Sequence, residues 1–266
     1  MARQFTASST EYATGPTNAV LTAYPFACSC WVLVDSLDSP LTYMGISDVS
    51  DIGGGNARFQ FTKTGDDNFQ YFIDNGPSAG GTLFGATDFV STGTWYHVMC
   101  WSNSATDHNI DVDDSGSPAT FSTNLTFPAI DRVSIGRLEN FGGVNYFDGR
   151  IAEVGIWGDT IPTADQMSAL ALGYSPSHFT DGLKSYHPLF GDLDPETAYF
   201  GTDHLTLTNT PTKGVHPPGI IYPHHTRIGH AASTAPAAGR IMSSLVGSGG
   251  LAGQGGIAGQ GGGLAA

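Results

Sequence analysis

Residues 146–157 read YFDGRIAEVGIW, and this stretch predicts a strand at residues 149–157. This strand completes a series of short strands that starts at residue 3. Gly, Asn and Asp separate the strands, and turn signals recur about every 8–12 residues. The spacing favours an all-β fold, an antiparallel sandwich of two sheets.

Outward from this stretch, the neighbouring segments support the same fold. Residues 26–34, FACSCWVLV, are apolar on both faces, as is typical of a central strand. Residues 59–62 and 69–73 flank a turn and predict a hairpin. Residues 95–101 form a second strand dense in aromatic side chains. These segments place the sandwich in the first part of the chain.

One short helix interrupts the strand pattern. Thr163 and Gln166 form a predicted capping box at its start, and Gly173 ends it. A helix this short is not stable alone, so Leu170 or Met167 must pack on the sandwich. Two further strands are predicted after the helix, at residues 182–190 and 204–208.

Composition excludes several classes of protein. The 266 residues include 10 Lys and Arg against 24 Asp and Glu, a net charge of −14. Nucleic-acid binding requires basic clusters, so it is not expected. Charged residues make up only 13% of the chain, about half the usual share, which argues against a helical bundle or coiled coil.

Neither a secretion signal nor a membrane span is predicted. The first residues alternate polar and apolar side chains, and no run of about 18 apolar residues occurs. Cys28 and Cys30 lie two residues apart on one strand face, about 7 Å from each other, too far for an easy disulfide. A disulfide between Cys100 and either Cys28 or Cys30 would leave the third cysteine unpaired. We expect three buried free thiols, as in a chain folded in a reducing cytoplasm.

The composition changes at about residue 214, which predicts a globular domain at residues 1–213 and an extended arm at 214–266. The prolines of residues 215–223 exclude a helix or a central strand there. Beyond them the chain is rich in Gly and Ala, and residues 245–262 repeat in units of six with Gly at the third, fifth and sixth places.

A period of six has a structural meaning. It is a multiple of the side-chain repeats of a β-strand and of a polyproline helix, so Leu245, Leu251 and Ile257 share one face in either. The segment is therefore either a flexible linker or an arm that docks through these side chains. Under the second alternative Leu264 and Tyr222 are further assembly contacts.

The run from residue 132 to residue 172 resembles the laminin-G-like, concanavalin-A-like jelly-roll family. The resemblance rests on residues 146–157 and the capped helix, with support from a Trp-x-His pair within residues 93–98 and from residues 183–189. It covers about residues 3–210 and implies a jelly-roll sandwich. One departure is Ala152, where the family often has an acidic residue.

Residues 216–223, HPPGIIYP, are similar to segments of tailed-phage structural proteins that display this jelly roll. The resemblance implies a non-enzymatic bacteriophage virion protein, made in the host cytoplasm and located on the virion surface. It would decorate or cement the capsid, or belong to the tail, as a homo-oligomer. Its partners would be the major capsid protein or tail proteins, with a host-surface glycan as a further ligand. The alternative is a freestanding carbohydrate-binding lectin or adhesin.

Catalysis is not expected. Glucanases of this fold carry Glu-x-Asp-x-(x)-Glu on one strand, and no such run occurs here. The nearest pair, Asp111 and Asp113, runs into a turn and lacks a glutamate, so turn chemistry explains it. No nucleophile elbow or paired Cys/His motif is present.

The sequence predicts no cofactor, and calcium is the one ion for which it offers candidate ligands. Hard oxygen ligands occur at residues 66–68, 74–75 and 113–114, although Asp and Asn are also favoured in turns. Histidines also form a loose cluster between residues 216 and 230. We expect these side chains to be solvated or to lie at an interface rather than to bind a metal ion. The four tryptophans all lie in predicted strands and are expected to fill the core: Trp31, Trp95, Trp101 and Trp157.

Overall fold

The computed structural model describes residues 1–37, 41–48, 58–63, 68–74, 82–122, 124–127, 130–137, 145–190 and 194–223, with residues 82–89 described by their backbone. Its helix α1 spans Ala164–Ala171. The strands are β1 (Ala2–Phe5), β2 (Tyr12–Thr14), β3 (Phe26–Val34), β4 (Leu41–Ser47), β5 (Arg58–Lys63), β6 (Asn68–Asp74), β7 (Thr82–Phe89), β8 (Trp95–Ser104), β9 (Asp107–Val112), β10 (Ala119–Phe121), β11 (Arg132–Ile135), β12 (Gly149–Gly158), β13 (Leu183–His187), β14 (Thr206–Thr208) and β15 (Thr212–Gly214).

The strands form two antiparallel sheets. The first has the order β10-β9-β8-β3-β12-β1-β15, with β13 also paired to β12, and the second has the order β14-β2-β11-β4-β5-β6-β7. The predicted hairpin is confirmed, because β5 and β6 pair with Phe59 opposite Ile73. The described residues thus form the expected all-β, jelly-roll-like sandwich of two sheets with one helix.

The main core lies between the two sheets. Alternation along β3 directs Cys28, Cys30 and Val32 inward, where they meet Phe59 and Phe61 of the second sheet. Cys100 lies opposite Cys28 on β8. All three cysteines are buried free thiols, as predicted, and burial raises the thiol pKa of Cys30.

A second, smaller core covers the outer face of the first sheet, the face turned away from the second sheet. Leu170 of α1 packs there with Met99 and Trp157, and Met167 lies at its border. The capping box is confirmed, because the Thr163 side chain accepts from the Gln166 backbone and the Gln166 side chain accepts from the Thr163 backbone. The helix is therefore held by its cap and by its apolar face.

Strand β12 changes neighbours along its length. It pairs with β1 at residues 149–151 and with β13 at residues 154–157, while β3 runs along its other side. The register against β3 shifts between Ala152 and Gly155. Glu153 lies in this bulge with a positive φ of 56°. This bulge takes Glu153 out of the regular pairing between β12 and β3.

The chain after β14 returns to the first sheet. Strand β15 pairs with β1, and Ile221 then forms a bridge with Tyr174 next to α1. One compact unit extends over Met1–His224, so residues 214–223, which follow the composition change, belong to the same unit as the sandwich. The predicted arm residues Leu245, Leu251, Ile257 and Leu264 lie outside the described residues, as do His224, His225 and His230.

Within the described ranges, no helix has both the length and the apolar character that a bilayer crossing requires.

Candidate functional site

A pocket of about 210 Å³ lies between α1 and the outer face of the first sheet. Strand alternation places His97, Met99 and Trp101 of β8 on this face, where they line the pocket. Asp111 of β9 and Asp114 of the following turn also line it. The pocket therefore combines an aromatic ring, a thioether, an imidazole and two carboxylates.

Helix α1 forms the opposite wall, and its residue types keep the pocket open. Ala164, Ser168 and Ala171 recur at helical spacing and line the pocket together with Met167. Because three of these four side chains are small, the helix leaves space above β8. Leu170 meanwhile holds the helix against the sheet, with only 1% of its surface exposed.

The turn that follows β9 is shaped by its own aspartates. Asp111 Oδ1 accepts from the Ser115 backbone N–H at 3.2 Å and from its hydroxyl at 2.5 Å. Asp113 Oδ1 accepts from the His97 backbone N–H at 2.7 Å, which joins the turn to β8. Asp113 and Asp114 both have a φ of 53°, in the left-handed region that Asp tolerates better than most residues. The turn chemistry predicted for Asp111 and Asp113 is confirmed, and it positions Asp114 at the pocket.

His97 is a buried side chain at this site. Only 2% of its surface is exposed, and its ring lies 5.5 Å from that of Trp31. Its Nε2 atom is buried and has no hydrogen-bond partner among the described residues. Burial lowers the pKa of the imidazole to about 3, so the ring is neutral near pH 7.

The tryptophans divide into two groups, which corrects the prediction that all four fill the core. Trp157 is fully buried and donates to the Phe179 carbonyl at 2.8 Å. Trp31, Trp95 and Trp101 lie half-buried on the outer face of the first sheet, where Trp101 packs against the edge of the second core. The alternating pattern that predicts a strand does not say which face is covered, so it could not separate them.

A second polar cluster surrounds the bulge in β12. Glu153, only 1% exposed, accepts from the Tyr186 hydroxyl at 2.6 Å and from the Tyr222 hydroxyl at 2.7 Å. His216 Nε2 lies 3.1 Å from the same carboxylate. Burial, then the neighbouring Glu153, raise the pKa of both phenols, so they remain neutral donors. Tyr222, which the sequence assigned to an assembly arm, thus binds within its own chain.

Residues 7–165 match the family model of the concanavalin A-like lectin/glucanases superfamily. The chain belongs to this superfamily. No curated protein sequence matches it significantly.

Two solved structures are similar in fold over most of the chain. A Bacteroides ovatus protein with a proposed carbohydrate-binding role is similar at a TM-score of 0.60 and 21% identity, over 83% of this chain and 61% of that one. The chain therefore spans less than two thirds of that protein. The heptameric SAP-like pentraxin of Limulus polyphemus is similar at a TM-score of 0.55 and 11% identity, over 81% of this chain and 94% of that one. At these identities the likenesses show the fold alone.

The superfamily includes glucanases, so possible catalytic groups need a geometric test. Ser185, His187 and Asp203 meet below the surface: the Ser185 hydroxyl lies 2.8 Å from His187 Nε2 and 2.7 Å from Asp203 Oδ2. A hydrolytic triad uses both ring nitrogens, one for the nucleophile and one for the carboxylate. Here both partners approach Nε2, while Nδ1 has no partner among the described residues. Ser185 is also fully buried, so the cluster has a structural role.

The structure describes only some of the residues proposed as calcium ligands. Residues 66, 67 and 75 lie outside the described residues, whereas Asp113 bonds to β8. In the part of the chain that the structure describes, no group of three or more His, Cys, Asp or Glu side chains could hold a metal ion. Calcium binding remains a prediction.

Sequence reasoning did not find the pocket or the Glu153 cluster. The pocket joins β8, a turn and α1, and Glu153 meets side chains 63 and 69 positions away. A signal was present for the pocket: Trp101 and His97 share one face of a strand whose two faces both carry large side chains. A strand of that kind requires cover on both faces, and here α1 covers only part of the outer one.

Proposed function

We propose that this chain is a non-catalytic carbohydrate-binding module whose ligand enters the pocket beneath α1. The observation that carries the proposal is the position of Trp101, half-buried in a pocket beside the carboxylates of Asp111 and Asp114. Membership of a superfamily that includes lectins supports it, as does the likeness to the Bacteroides protein.

The pocket has the chemistry that sugar recognition requires. A sugar ring presents C–H groups on one face and hydroxyl groups around its edge. An aromatic side chain offers a large apolar surface for the first, and carboxylates accept hydrogen bonds from the second. Binding sites commonly combine such an apolar surface with a few polar groups that fix the ligand's orientation.

The proposed module has no catalytic role because the two carboxylates that line the pocket do not form an enclosed pair: Asp111 is bound by the turn through one oxygen, and Asp114 is exposed to solvent. Asp111 uses one oxygen to bind Ser115, and Asp113 points to the β8 backbone. The Ser185 cluster is buried away from solvent. Incubation with polysaccharides should release no reducing ends, and measurable cleavage would favour a glycosidase instead.

A glycan array followed by calorimetry on the full chain tests the proposal. Trp101→Ala should weaken binding at least about tenfold, because the variant loses the aromatic surface of the pocket. Trp95→Ala is the matched control, since Trp95 is half-buried on the same face of β8 but does not line the pocket. Equal affinities for both variants, or an array without any bound glycan, would contradict this function. Titrations with calcium and with EDTA separate an aromatic site from a calcium-dependent one.

We also propose, on the sequence pattern alone, that the chain is a homo-oligomeric virion surface protein attached through its C-terminal residues. The six-residue repeat and the HPPGIIYP segment support this role. A C-terminal truncation tests this role. Because Tyr222 binds Glu153, the truncated chain should keep residues 1–224. Removing residues 225–266 should abolish binding to particles and preserve the fold. Undiminished particle binding by this truncated chain would rule out the arm.

A further inference from the structure

The charges that line the pocket beneath α1 have one sign. Asp111 and Asp114 contribute carboxylates, and no Lys or Arg is present among its described lining residues. His97 adds no positive charge near neutral pH, because burial lowers its pKa to about 3. The chain as a whole carries a net charge of −14. A ligand that enters this pocket therefore meets a negative potential.

The free acceptor atoms define what the ligand must supply. Asp111 Oδ1 accepts from Ser115, and its second carboxylate oxygen has no partner among the described residues. Asp114 is exposed, and its carboxylate is likewise unpaired within the described part of the chain. Ionised carboxylates only accept hydrogen bonds, so the ligand has to donate them. Hydroxyl groups meet this requirement, and a ligand carboxylate does not.

The volume limits the ligand's size. Pockets for drug-sized ligands measure about 300–1,000 Å³. This one measures about 210 Å³, so it suits a single ring rather than several linked rings. Ala164 and Ser168 of α1 keep it open on one side, while Met99 and Trp101 limit it on the other.

We infer that the pocket binds one uncharged sugar residue and discriminates against acidic sugars, with Asp111 and Asp114 acting as both hydroxyl acceptors and the source of repulsion. This inference rests on the proposed carbohydrate-binding function. It makes the two aspartates specificity-determining residues, whereas Trp101 supplies affinity for neutral and acidic rings alike.

Pairs of methyl glycosides that differ only at C6 provide the test on the full chain. Glucoside is compared with glucuronide and galactoside with galacturonide, each by calorimetry near pH 7. The neutral member of at least one pair should bind at least about tenfold more tightly than its acidic partner. The ratio should fall at high salt, because salt screens charges at a partly exposed site.

Asp114→Asn is the decisive variant. Asn resembles Asp in shape and also tolerates the left-handed backbone, with φ of 53° at this position, so the turn should persist. Loss of one negative charge should reduce the neutral-to-acidic ratio several-fold. Asp165→Asn, which removes one negative charge from the first turn of α1 outside the pocket lining, is the matched control and should keep the ratio.

The outcomes separate the two levels of the argument. If no sugar binds, both the carbohydrate function and the inference fail. If acidic and neutral members bind equally, or if Asp114→Asn leaves the ratio unchanged, only the inference fails. A lower ratio in Asp114→Asn, with an unchanged ratio in Asp165→Asn, would establish it.

Discussion

Replacing His97 with Phe should remove a specific part of the acid sensitivity of the fold. Burial lowers the pKa of His97 to about 3 from the ordinary value of 6.5. Between these two values the unfolded chain binds a proton at this residue and the folded chain does not. Stability from this group is thus lost as the pH falls through that window, by about 1.4 kcal/mol per pH unit at most.

The expected size of the effect follows from the two pKa values. Between about pH 6 and pH 4, proton binding by the unfolded imidazole lowers the free energy of unfolding by about 2.5 kcal/mol. Phe fits the ring contact with Trp31 and needs no partner for the buried position of Nε2. Wild type should therefore lose about 2.5 kcal/mol more than His97→Phe over this interval.

Urea unfolding monitored by tryptophan fluorescence measures the difference at each pH. All other titrating groups are common to the two proteins, so subtracting the curves isolates His97. Parallel curves between pH 6 and pH 4 would show that the folded protein protonates this imidazole at its ordinary pKa, and the account of a neutral buried ring would be refuted. Proton NMR of the ring gives an independent value for the same pKa.

Two matched pairs test the attachment of α1 and of the segment after β15. Leu170→Ala should lower the free energy of unfolding by about 3 kcal/mol because it opens a cavity in the second core, whereas Leu172→Ala, at a side chain 74% exposed, should change it little in urea titrations. Tyr222→Phe should cost about 2 kcal/mol, since it removes a hydrogen bond to the buried carboxylate of Glu153, and should increase amide exchange in residues 215–223. Tyr174→Phe makes the same chemical change at a more exposed ring and should have neither effect.

Local patterns predicted some of the elements of secondary structure, among them β3, β8 and α1, but they did not predict β4, β7 or β15. The bounds of β3 coincide with the apolar run at residues 26–34, and α1 starts after the Thr163 cap. Both depend on residues that are near each other in sequence. The antiparallel sandwich also followed, because turn spacing restricts how consecutive strands can pair.

Long-range contacts were beyond these patterns. The second core forms because α1 packs across β8 and β12, and no local feature assigns a helix to one face of one sheet. Tyr222 illustrates the same difficulty. A tyrosine among prolines has no local partner, and its bond to Glu153 depends on the path of the chain after β15.

The fork in the ladder beside β12 has a consequence for cooperativity. Two short strands from distant parts of the sequence, β1 and β13, pair one after the other with the same edge of β12. The other edge of β12 pairs with β3 alone. Because these pairings do not involve β3, we expect either short strand to open while the hydrogen bonds between β12 and β3 remain. Opening of β1 or β13 is then a local unfolding event that costs less free energy than complete unfolding. The paired strands β3 and β12 remain in place, and the detached strand can pair with β12 again.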